Sequence, residues 1–244
     1  MQRANIFFFT DADVELPPTW IELMLEQFND PKVGVVEGTT VIKPRNWFDA
    51  CQAIEWLDSF FVINFLSKYQ YKVTAMGNNL AAKAEAYWAV GGYEKIGFSI
   101  IEDFALFEAI VKKGYEFRAA YNVGTLAKTK PMNGLMDLLH QRKRWMTGGL
   151  DGGSVWLASL AMLQLFFLPI LVIIAIFSWK IALITWLAAF ILQAIFCLNF
   201  LRIIKQLHLS KYLLHYDIYL LFYSFVLLIF YFTSKKTIWK GREY

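Results

Sequence analysis

The sequence predicts an α/β domain followed by α-helical transmembrane segments. Two observations carry this. The 244 residues are 57% hydrophobic and 18% aromatic, more apolar than a soluble domain of that length, and the excess is confined to one half. From Met1 to about Gly153, charges, turns and helix stops are interspersed with short apolar runs. From Ser154 onward the chain is nearly all Leu, Ile, Phe, Ala and Trp. The expected division is therefore a catalytic domain over 1–153, including an amphipathic interface helix, and a membrane region over 154–244.

Within the first part, Ile6–Thr10 is a uniformly apolar run that ends in acidic residues. It reads as a central parallel strand, buried on both faces, with a functional loop at its carboxyl end. A central strand needs neighbours on both sides, so the domain is expected to be incomplete at its front. Pro17 and Pro18 open a helix through Phe28. Val33–Gly38 and Thr39–Ile42 read as strands, and Asn46 as the N-cap of a long aromatic-rich helix to Lys68, suited to lie against lipid as well as core. Val73–Met76 is a predicted strand ending in Gly77-Asn78-Asn79. A short helix over Lys83–Val90 stops at Gly91-Gly92. Glu102–Lys113 is a helix with acids at its start and lysines at its end, closed by Gly114. Tyr115–Tyr121 is a strand, and Asn133 is expected to cap a helix carrying Gln141, Arg144 and Trp145.

Three apolar stretches follow, near 155–178, 181–201 and 213–233, each matching the roughly 20 residues of a membrane span. Much of the net charge of +4 flanks them, at Lys180, Arg202, Lys205, Lys211, Lys235, Lys236, Lys240 and Arg242, as expected for a cytoplasmic face and anionic membrane lipid. Three complete spans would put the basic loop 202–211 and the basic tail on opposite sides, against the positive-inside rule. Either one stretch lies in the interface or the tail is an exception. Cys51 and Cys197 form no disulfide framework and no CxxC site, which fits a reducing compartment. No signal-peptide pattern opens the chain. No basic patch with interleaved aromatics occurs in the first part, so nucleic acid is not an expected partner.

The Asp11-Ala12-Asp13 turn could hold a divalent cation that bridges phosphate oxygens, or it could be a solvated turn. An aspartyl nucleophile of a dehalogenase-type phosphatase also follows an apolar strand, but that pattern wants Thr or Val where this chain has Glu15. Glu102-Asp103 could supply a proton acceptor or simple helix-start electrostatics. Gln141, Arg144 and Trp145 share one helix face. An amide, a cation and a flat ring there suit a diphosphate with a sugar or acyl chain, or equally a membrane-surface helix with an interfacial Trp. Asn78 and Asn79 are turn formers that could present amides to sugar hydroxyls. The three histidines lack partners at metal-ligand spacing.

The order of these motifs, from Asp11-Ala12-Asp13 through Gly77-Asn78-Asn79 and Glu102-Asp103 to Gln141-x-x-Arg144-Trp145 and then apolar helices, resembles the membrane-integrated family-2 glycosyltransferases of GT-A fold. That branch includes cellulose, hyaluronan and chitin synthases and lipid-linked sugar transferases. The similarity covers nearly the whole chain, including the ending Ile238-Trp239-Lys240-Gly241-Arg242. It implies inverting transfer from a nucleoside-diphosphate sugar to a lipid or glycan acceptor at the cytoplasmic membrane face. It also implies Mg²⁺ or Mn²⁺ on Asp11 and Asp13, Asp103 as general base with Glu102 orienting it, and Gln141, Arg144 and Trp145 on the diphosphate and acceptor. Two departures stand out: Ile101 replaces a Thr frequent in the family, and the strands that bind the nucleotide base should precede Ile6. The second leaves open an inactive membrane remnant that serves only as a binding or assembly partner.

Overall fold

The computed structural model describes residues 5–69, 71, 74–151, 155–234, 236, 238–239 and 242–243. The expected domain boundary at Gly153 lies outside the described residues. In chain order the elements begin with β1 (Ile6–Phe9), α1 (Trp20–Glu26), β2 (Val33–Gly38), β3 (Thr40–Ile42) and α2 (Trp47–Lys68). Then come β4 (Leu80–Lys83), α3 (Ala84–Ala89), α4 (Gly92–Ile96), α5 (Glu102–Lys112), β5 (Glu116–Ala120) and β6 (Ala127–Thr129). The last are α6 (Leu135–Asp151), α7 (Val155–Phe177), α8 (Trp179–Ile203), α9 (Leu213–Thr233) and the short pair β7 (Ile238–Trp239) and β8 (Arg242–Glu243).

The main sheet runs β1-β4-β2-β5, with β4 antiparallel to both neighbours and β2 parallel to β5. A second ladder pairs β3 with β6 in parallel. Helices cover both faces. Trp20 and Met24 of α1 pack on Val33, Val36 and Ala81. On the other side, Phe104, Leu106, Phe107 and Ile110 of α5 pack on Val35, Leu80 and Ala82. The main sheet is thus sealed on two sides, and loops at the ends of its strands are left to form a site.

Four local expectations change. β1 is half-buried, and its neighbour among the described residues, β4, runs antiparallel to it where a parallel ladder was expected. Thr74–Met76 form no strand, while residues 72–73 lie outside the described residues. The strand is β4, whose Leu-Ala-Ala-Lys sequence has no β-branched residue to signal it. The helix after Pro18 is shorter than expected, starting at Trp20 with Thr19 before it. Asn133 precedes α6 by two residues, and its Oδ1 accepts from Arg45 Nη2 at 3.2 Å. Asn46, by contrast, caps α2 as expected, its Oδ1 accepting from the Asp49 N–H at 3.0 Å.

The helical part rests on α2. Ile54, Leu57 and Phe60 of α2 pack with Val41 of β3, Phe200 and Leu201 of α8 and Tyr216 of α9. α6 joins α7 and α9 through Leu138, Leu139, Leu165, Tyr223 and Leu227. Two segments, Trp179–Ile203 and Leu207–Thr233, are long and apolar enough to cross a membrane. The described apolar part of α7, Ala161–Phe177, is shorter and contains Pro169. Far more of the α9 segment than of α8 is buried in the fold. Both ends of α9 are tied to the same body. Tyr216 Oη donates to Asp58 Oδ2 of α2 at 3.3 Å, and Lys143 of α6 donates to the carbonyl of Ser234, just beyond the helix.

Candidate active site

Antiparallel pairing of β1 with β4 sets Phe9 opposite Leu80, so the turn leaving β1 lies beside the turn entering β4. The first is closed by Val14 N–H to the Asp11 carbonyl at 3.1 Å, then pinned as Glu15 exchanges backbone bonds of 2.8 and 2.9 Å with Lys128. Asp11 and Asp13 are left exposed on it. The second is the 3₁₀ turn Gly77–Asn79. Its Gly77 N–H donates to Asp103 Oδ2 at 2.6 Å, while the Phe104 N–H at the start of α5 donates to Asp103 Oδ1 at 2.8 Å. Burial pushes the Asp103 carboxyl above the usual carboxylate range; the two N–H bonds and Arg144 oppose this, and Glu102 adds to it. A base of raised basicity, fixed by two backbone donors, is suited to accepting a proton.

Residue 77 has to be small. A Cβ there would stand 2.6 Å from Asp103 Cβ, so the backbone could not approach the carboxylate this closely. The neighbouring peptide is held by a carboxylate that the sequence reading missed. Glu37 of β2 is fully buried; its Oε1 accepts from the Met76 N–H and its Oε2 from the Tyr121 hydroxyl. Burial pushes its carboxyl up to about 8, against the pull of those two bonds and with help from nearby Asp103. Consecutive N–H groups at 76 and 77 are therefore gripped by Glu37 and Asp103. The available signal was a lone acid inside the otherwise apolar Val33–Gly38 strand.

The two asparagines divide. Asn78 lines the cavity, its Oδ1 accepting from Thr40 Oγ1 at 3.1 Å. Asn79 is fully buried: its Oδ1 accepts from Trp20 Nε1 at 2.7 Å, and its Nδ2 donates to the Thr39 and Thr125 carbonyls at 2.8 and 2.9 Å. That amide braces three segments from within the core, whereas the sequence led us to expect both asparagines to present their amides to a sugar.

α6 is anchored on both sides of the face that the sequence singled out. Arg144 Nη1 donates to the Ile100 carbonyl at 3.1 Å, two residues before Glu102. Gly148 abuts Ile101, where a Cβ would fall 2.4 Å from Ile101 Cγ1. Arg142, also missed, makes a bidentate pair with Glu55 of α2 at 2.8 and 3.0 Å and donates to Gln141 Oε1 at 2.5 Å. Its guanidinium lies 4.3 Å from the centre of the Trp145 ring, which packs on Trp56 at 5.6 Å. Arg142 was hidden in the cationic run 142–144, where sequence alone cannot distinguish a buried cation from a solvated one.

Asp11, Asp13, Asn78, Glu102, Asp103, Gln141, Arg144 and Trp145 all line one cavity of about 1350 Å³. Among the described residues, no cluster of three or more His, Cys, Asp or Glu could cage a metal. Two exposed carboxylates nonetheless fit Mg²⁺ or Mn²⁺, because such ions bind through one or two carboxylates and fill the remaining positions with water and substrate phosphates. A sheet covered on both faces, with carboxylates and a cationic helix meeting at one cavity by its strand ends, has the layout of an α/β fold with a ligand site. The family model of glycosyl transferase family group 2 matches residues 6–235. The chain belongs to this family, and so to the glycosyltransferases. No curated protein matches it at a significant level.

Proposed function

We propose that the protein transfers a sugar from a nucleoside-diphosphate sugar to a lipid or glycan acceptor, with inversion, at the cytoplasmic face of the cell membrane. The observation that carries this reading is that Asp11, Asp13, Asp103, Gln141, Arg144 and Trp145 line one cavity. Asp103 takes the acceptor hydroxyl's proton as that oxygen attacks the anomeric carbon. The new C–O bond forms while the bond to the diphosphate breaks, and the nucleoside diphosphate leaves with the electron pair. Each Asp103 oxygen accepts one backbone N–H and keeps a lone pair for the incoming proton. Asp11 and Asp13 would hold Mg²⁺ or Mn²⁺, which would supply positive charge for the diphosphate. Arg144 adds a cation to the same cavity, and Gln141 and Trp145 contact donor and acceptor. Glu102 orients Asp103, and Asn78 presents its amide to the sugar. Membrane placement is supported by the two long apolar segments and by basic residues at their ends.

The test is turnover by the detergent-purified chain with Mn²⁺ and a panel of UDP- and GDP-sugars. Metal-dependent consumption of one donor should fall about 10²- to 10⁴-fold in Asp103→Asn and be lost in Asp13→Ala. A folded sample that binds no donor would overturn the reading.

A further inference from the structure

Along with Asp11 and Asp13, the cavity wall carries a cation just beyond β6, Lys130. The fold brings it there through the acidic turn itself. Glu15 exchanges backbone bonds with Lys128, which sets β6 beside that turn. Next in the chain, the Thr129 carbonyl accepts from the Lys43 N–H at 2.9 Å. Met132 is then held at both backbone atoms by the side chain of fully buried Gln52, at 3.0 and 3.1 Å. Only Lys130 and Pro131 lie between these anchors, and a proline keeps the residue before it extended. The backbone of Lys130 is therefore fixed at the cavity, and its side chain alone is left to move.

The ammonium of that side chain is uncommitted. Glu15, the nearby acid it could have paired with, is taken by Lys43, whose hydrogen bond and charge pull the Glu15 carboxyl below the usual range. Lys128 and Lys130 add to that pull by charge alone. Among the described residues Lys130 forms neither a hydrogen bond nor an ion pair, so its three N–H donors are open to a ligand. Arg144, a cation on α6 lining the same cavity, gives its Nη1 to the Ile100 carbonyl. A diphosphate entering a cavity that already carries Asp11, Asp13, Glu102 and Asp103 meets like charge, and a lysine point charge with open donors offsets it. Resting on the glycosyltransfer reading above, we propose that Lys130 is a further donor-binding residue. Its ammonium donates to a non-bridging oxygen of the donor's diphosphate and keeps hold of the nucleoside diphosphate after the sugar has left.

Equilibrium dialysis of the full chain in detergent tests this without requiring turnover. The probes are inorganic pyrophosphate, UDP and GDP, each with Mn²⁺. Lys130→Ala should weaken binding of pyrophosphate, and of whichever nucleoside diphosphate the wild type takes, by about 10- to 100-fold, as for one charge-assisted hydrogen bond. Lys130→Arg, which keeps a cation, should recover most of that loss. Lys128→Ala removes a lysine that is exposed but outside the cavity wall, and should leave affinity unchanged. Both lysines are exposed, so all three variants should melt with the wild type. Equal affinities for wild type and Lys130→Ala, or the same loss in Lys128→Ala, overturn the inference and leave the glycosyltransfer reading standing. Pyrophosphate binding that depends on Lys130, with no binding of UDP, GDP or their sugars, refutes that reading alone. A folded wild type that binds none of the probes refutes both.

Discussion

Two carboxylates, Glu37 and Asp103, hold adjacent backbone N–H groups, and each responds to pH in its own way. Glu37 keeps its proton up to about 8 in the fold against an ordinary 4.5. The native state therefore binds the proton more tightly than the unfolded chain. Stability from this group is fully present below pH 4.5 and is lost as pH rises towards 8, a change on the order of a few kcal/mol. Thermal melts between pH 4.5 and 8 should show wild type losing stability relative to Glu37→Gln, which keeps the shape and an acceptor for Met76; parallel curves would show that Glu37 does not titrate in this range. Asp103 must be ionised to accept a proton, so its raised basicity moves the acid limb of the activity profile upward, and turnover falls as pH drops through it. Gly77→Ala forces the backbone away from Asp103. It should lower turnover at least tenfold with little change in melting temperature, since the contact lies at the cavity wall.

At the level of elements, α6 is the part that links the others. Arg142 and Glu55 form a nearly buried pair between α6 and α2. Removing one partner, as in Arg142→Met, should cost about 3–5 kcal/mol by leaving an uncompensated charge. The double variant Arg142→Met/Glu55→Leu should recover most of that, as measured by denaturant unfolding, while activity stays low because Trp145 has lost the cation over its ring. The helices of the first part were legible in the sequence because their caps and charge gradients are local: Asn46 for α2, the acids and lysines of α5. Less was legible in the sheet. β4 is written in alanines, and its place between β1 and β2 is decided by long-range pairing that no local pattern encodes. The acids of the site were visible as motifs, but Asn79 and Asn78, identical neighbours, differ only in which way the turn points them.

For the whole molecule, the basic loop 202–211 and the basic tail follow helix ends that both touch the catalytic body, through Asp58 and Lys143. We propose that α9 lies against this body without carrying the chain across a bilayer, which would keep both basic segments on one side as the positive-inside rule asks. In vesicles of known orientation, Ser210→Cys and Ser234→Cys should react with a membrane-impermeant maleimide from the same side and Phe177→Cys from the opposite one; native Cys51 and Cys197 are buried. Labelling of Ser210→Cys and Ser234→Cys from opposite sides would establish a full crossing. One contact of α6 reaches further. Lys143 holds the end of the long apolar helix α9, and the next residue, Arg144, holds the segment of chain that leads to Glu102-Asp103. A bilayer that shifts α9 within its interface pulls on one of these anchors, and the other passes the displacement to the proposed proton acceptor, Asp103. Turnover in nanodiscs should therefore vary with the lipid composition even when donor and acceptor are saturating, which would make the enzyme a gauge of the membrane that holds it.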